Sequence, residues 1–92
     1  MKVRYRELAL ADLEQIFQYL SSRSPHGANL VLHAIHAAIA EITEFPLGAE
    51  QTSSPGIRVK VIGRYRYKIF FSLYSDAIEI VHVRHTARRP IE

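Results

Sequence analysis

Cysteine and tryptophan are absent from these 92 residues, and methionine occurs once. Without cysteine there can be no disulfide and no thiolate metal site, and a reducing compartment is compatible. Long apolar runs are missing as well. None approaches the roughly 18 residues that span a bilayer, and the opening MKVRYREL has no apolar centre of a secretory signal. The sequence therefore predicts a cytoplasmic protein with no membrane partner. Glycine and proline number four each. They form no linker, repeat or low-complexity tract, and the isolated Gly63 and Gly56 build no phosphate loop. The length fits one domain, residues 1–92, with modest stability of its own.

What the chain does have is charge of one sign at one end. Residues 58–92 hold eight bases, Arg58, Lys60, Arg64, Arg66, Lys68, Arg84, Arg88 and Arg89, against Asp76, Glu79 and Glu92, a local balance of +5. The first 57 residues hold four bases and six acids, a balance of −2. This polarity, with a pI near 9.5, points to an anionic partner: nucleic acid, an acidic protein, or both.

Periodicity gives the elements. Val3 and Tyr5 alternate with Lys2, Arg4 and Arg6, a short strand with a basic face. Leu10, Leu13, Ile16, Phe17 and Leu20 recur at helical spacing and predict a helix over about 9–22. Ser24 as N-cap and Pro25 at the first position restart the chain as a second helix over about 25–45. Its apolar face is Val31, Leu32, Ile35, Ile39, Ile42 and Phe45, thinned by alanines, and Pro46 and Gly48 end it. After a loop over 46–56, three runs alternate with period two: Ile57–Val61, Arg66–Leu73, and Ile78, Ile80 and His82 against Glu79, Val81 and Val83. Short turns at Gly63–Tyr65 and Ser75–Asp76 make them antiparallel neighbours. The fold class is α+β: an N-terminal strand, an antiparallel helical hairpin, then a three-stranded antiparallel meander. The helices cover one face, and the first strand joins at an edge.

Histidines are candidate chemistry. His33 and His36 lie three apart on the second helix, but no third ligand completes a metal site there. They are read as surface or packing residues, and no metal or cofactor is expected. His82 and His85 are three apart on a strand, so they face opposite sides. Because a histidine side chain ordinarily changes charge near neutral pH, a residue of this type at 85 suits either acid–base work or a binding role, and His85 is the candidate. Arg58, Lys60, Arg64, Arg66 and Lys68, interleaved with Tyr65, Tyr67 and Phe70, suit a phosphate-binding face, a solvated strand edge, or a protein interface rich in Arg and Tyr.

The order of these motifs resembles the RelE/ParE superfamily of bacterial toxins from type II toxin–antitoxin modules, ParE-like branch. The resemblance covers nearly the whole chain. Ala11-Asp12-Leu13 with Ile16–Leu20 is similar to the first helix of ParE-type members, and Ser24-Pro25 to their helix junction. Pro55–Arg58, Gly63–Tyr65 and Tyr67–Phe71 resemble the family's strand–turn–strand signature. Val83-Arg84-His85 with Ala87–Pro90 resembles its closing motif, although Thr86 stands where Gly is common.

The resemblance implies a toxin of a plasmid-stabilisation type, held inactive by a cognate antitoxin that itself carries the complex to operator DNA. It implies one of two targets: DNA gyrase, inhibited by protein contact without catalysis, or mRNA on the ribosome, cut by an endonuclease. The C-terminal Tyr of RelE-type members is not matched, since only Ile91 and Glu92 follow Pro90; the gyrase branch is therefore the leading expectation. The expected target- and antitoxin-binding residues are Arg58, Lys60, Arg64, Tyr65, Arg66, Lys68, Phe70, Arg84, His85, Arg88 and Arg89. A nuclease would instead draw on Lys68, Arg88 and His85.

Overall fold

The computed structural model describes residues 1–86. Strand β1 (Lys2–Tyr5) leads into helices α1 (Glu7–Ser21) and α2 (Pro25–Glu44). A single 3₁₀ turn (Pro46–Gly48) and a two-residue strand β2 (Glu50–Gln51) follow, then β3 (Arg58–Ile62), β4 (Tyr67–Leu73) and β5 (Ala77–His85). The sheet order is β1-β5-β4-β3-β2, with β1 parallel to β5 and the other pairs antiparallel. The expected α+β architecture is present, and β1 does lie at an edge. Strand β2 falls within the stretch expected as loop, because two polar residues carry no alternation.

Local chemistry sets the boundaries. The Ser24 hydroxyl accepts the Gly27 N–H at 3.0 Å, and Pro25 occupies the first turn. A Cβ at Gly27 would stand 3.2 Å from Ser24 Oγ, so glycine there leaves room for the cap. Helix α1 starts without a side-chain cap but with Glu7 in its first turn, where a carboxylate suits the positive end of the helix. No helix among the described residues is long and apolar enough to cross a membrane.

The core lies between the helices and one face of the sheet. It joins Ala9 and Ile16 of α1 to Val31, Ile35, Ala38, Ile39 and Ile42 of α2. The sheet supplies Tyr67, Ile69 and Phe71 from β4 and Ile78, Ile80 and Val83 from β5. The helix faces depart from the sequence reading at their margins. Leu10 and Phe17 are exposed, and fully buried Ala9 takes the contact instead, because a methyl lets α1 approach closely. Phe45 is 66% exposed, since the helix ends at Glu44 and Phe45 turns out of the helical stripe.

Strand β5 does not alternate as expected. Phe70 pairs with His82 but Phe71 pairs with Ile80, which leaves Val81 as the extra residue of a bulge. The period resets there. Val83, not His82, joins Ile78 and Ile80 in the core, and His82 falls opposite Phe70. His82 and His85 still take opposite faces, but with the faces exchanged relative to strict alternation.

The β3–β4 turn holds Arg66 at φ 62. A non-glycine residue in the left-handed region costs about 1–2 kcal/mol, least for Asn. Arg66→Asn is therefore expected to hold or raise stability, and β-branched Arg66→Val to lower it by about 1–2 kcal/mol relative to Asn, read by urea unfolding.

Candidate functional site

Antiparallel partners share a face of the sheet, so the register sorts the basic residues. Arg58 pairs with Phe71 and Lys60 with Ile69, both core residues. These two cations therefore sit on the helix side. Arg58 donates to the Ala49 carbonyl at 2.7 Å, and Lys60 Nζ meets Glu41 Oε1 of α2 at 2.7 Å. They tie the sheet to α2 and the β2 loop and do not join an outer basic face.

The outer face is built from the opposite parity. Lys68 lies between Val61 of β3 and Arg84 of β5, and Phe70 between Val59 and His82. Lys68 and Arg84 are exposed, Phe70 and Val59 half-buried, and Val61 52% exposed. The β3–β4 turn adds Arg64, stacked over the Tyr65 ring at 5.4 Å, and exposed Arg66. Tyr65 itself leans on the core. Among the described residues no carboxylate lies within ion-pair distance of Arg64, Arg66, Lys68 or Arg84. Two like charges directly across a strand pair are unfavourable by a few tenths of a kcal/mol to about 1 kcal/mol, a cost that an anionic ligand would remove.

The other end of the same face is neutralised. Glu79 Oε1 accepts from Arg6 Nε at 2.9 Å and from the Tyr74 hydroxyl at 3.3 Å, and Arg4 lies 5.3 Å over the Tyr74 ring. The hydrogen bond to Glu79 pushes the Arg6 pKa up, against a smaller opposing effect of desolvation. Arg4 and Arg6, two of the three cations of the basic face expected for β1, are thus engaged within the sheet.

His85 is half-buried on the core side, edge-on to Tyr67 with ring centroids 4.9 Å apart. It does not face Lys68. Arg88 and Arg89 lie outside the described residues. Among the described residues, no group of three or more His, Asp or Glu side chains is placed to hold a metal. The sequence reading missed Val59, Val61 and the contact between His82 and Asp12 of α1. The adjacent apolar pair Ile80-Val81 followed by Val83 breaks period two and signals the bulge alone, not the Asp12 contact.

Against known proteins, the family model of the ParE toxin of the type II toxin–antitoxin system parDE matches residues 3–90. No curated protein sequence matches significantly. The fold is similar to the chromosomal ParDE toxin–antitoxin system of P. aeruginosa, at TM-score 0.79 and 19% identity over 92% of this chain and 95% of that one. It is also similar to the intact RelBE toxin–antitoxin complex of E. coli (TM-score 0.69, 13% identity, 95% and 98% covered). A third likeness is to the RelBE2 complex of Mycobacterium tuberculosis (TM-score 0.64, 18% identity, 91% and 95% covered). The chain belongs to the ParE toxin family of type II toxin–antitoxin systems.

The division of cations is measurable without any ligand. Arg58→Ala is expected to cost about 1–2 kcal/mol, by losing a charged hydrogen bond to a part-buried carbonyl. Lys68→Ala should change stability by less than about 0.5 kcal/mol, or raise it by relieving Arg84. Thermal and urea unfolding of the two variants read the contrast.

Proposed function

We propose that this toxin inhibits DNA gyrase by protein–protein contact through the outer sheet face, and that a cognate antitoxin with an acidic segment neutralises it. The observation that carries the target is the match of the ParE family model over nearly the whole chain. The face supports it physically. Arg64, Arg66, Lys68 and Arg84 border the apolar Val59, Val61 and Phe70 at the β3–β4 turn end of the face, a mixture of cation and apolar side chains of the kind interfaces use. The unneutralised charge would also speed encounter with an acidic partner.

For the antitoxin, the support is that the E. coli and M. tuberculosis relatives of this fold are toxin–antitoxin complexes. The helical hairpin offers further contact surface in Leu8, Leu10, Phe17, Tyr19 and Leu30, all at least 41% exposed. Operator DNA would then be reached through the antitoxin. Arg88 and Arg89 would extend the basic end of β5 in sequence.

A second reading, an mRNA endonuclease acting on the ribosome, draws on one observation: Lys68 stands directly across from Arg84, with no carboxylate of the described residues on either. Such a pair would hold a phosphate. His85 would have to leave the Tyr67 ring to serve that reaction.

Supercoiling by purified gyrase tests the proposal. The chain is expected to block it, and Lys68→Glu with Arg84→Glu to need about tenfold or more protein for the same effect, with unfolding unchanged. Untouched supercoiling, together with codon-phased cuts in translated mRNA, would reject the gyrase target in favour of the nuclease.

A further inference from the structure

Strand β1 covers the outer edge of β5 only along Ala77–Ile80, and the Arg6 N–H then closes on the Ile80 carbonyl at 3.0 Å. Beyond that point β5 runs on to His85 with β4 on its other side, and among the described residues no strand pairs with this edge. A free edge of this kind leaves backbone groups unpaired. Here a helix side chain intervenes. Asp12 Oδ2 of α1 accepts the Val83 N–H at 3.0 Å and lies 3.0 Å from His82 Nδ1. Asp12 and His82 side chains are only about a quarter exposed, at 24% and 26%. An ionised carboxylate only accepts, so the facing ring nitrogen carries the proton. One oxygen therefore holds two successive residues of β5, immediately after the Val81 bulge has loosened the ladder.

We propose that Asp12 is a positioning residue. It replaces the missing strand partner of β5, pins the segment from His82 onward, and thereby sets the direction of Arg84 on the outer face. The proposal rests on the reading of that face as the target contact. Arg84 follows Val83 directly, and among the described residues β4 is the strand that pairs with it. Slack at Val83 would let the Arg84 side chain leave its place opposite Lys68.

Two readouts decide it on the full chain. Amide hydrogen exchange by NMR is expected to speed up at least tenfold at Val83 in Asp12→Ala, with the amides of Ile69 and Phe71 unchanged. Asp12→Asn keeps an acceptor for that N–H and should show a smaller change; it serves alone if Asp12→Ala does not fold. Unchanged exchange at Val83, or equal acceleration at all three amides, overturns the proposal. In gyrase supercoiling, Asp12→Asn and Arg84→Ala are each expected to weaken inhibition, and the double variant to be no weaker than the worse single one. Full multiplication of the two losses would overturn the positioning role, because Asp12 would then act independently of Arg84. A wild-type chain that leaves gyrase untouched would sink the target reading, and the exchange at Val83 would still decide whether Asp12 pins β5.

Discussion

The one-residue bulge at Val81 decides which side chains of the last strand meet solvent. Without it, the alternation begun at Ile78 and Ile80 would carry His82 into the core and turn Val83 outward. With it, Val83 closes the core above Ile69, His85 meets Tyr67, and Arg84 comes level with Lys68 on the open face. A register error of one residue inverts every later side chain of a strand. The basic patch and the core are thus two consequences of the same insertion, and neither can be moved without the other.

A second constraint is the partner each cation finds. Twelve Lys and Arg residues give the chain its positive balance, but many are occupied. Arg58 and Lys60 fasten the β2 loop and α2, and Arg6 and Arg4 gather around Glu79 and Tyr74. Arg23 lies 3.8 Å over the Tyr19 ring at the end of α1. Apart from Lys2 at the start of β1, what remains without a carboxylate among the described residues lies at the β3–β4 turn, on β4 beside it and at the end of β5. Charge density in sequence overstated the patch, and register reduced it to Arg64, Arg66, Lys68 and Arg84.

Much of the fold was legible. Period-3.6 and period-2 patterns marked both helices and β3–β5, and Ser24-Pro25 marked the start of α2 because its cap is local chemistry. The misses have physical reasons. Two-residue β2 is too short to show a period, and Leu10 and Phe17 lie at the margin of a stripe that small Ala9 fills. Sorting Arg58 and Lys60 to the helix side required knowing that they pair with Ile69 and Phe71, which no single strand reveals. The Asp12 contact spans 70 and 71 residues of sequence to His82 and Val83 and lies beyond any local pattern. The family resemblance was legible from motif order, and the family model over residues 3–90 agrees with it.

The central claim is that the outer sheet face meets the target. Hydrogen exchange of this chain, free and bound to gyrase, measured by mass spectrometry, tests it most directly. The account predicts slowed exchange on binding in the segments 64–72 and 80–86. Slowed exchange confined to α1 and α2, with those strands unchanged, would contradict it.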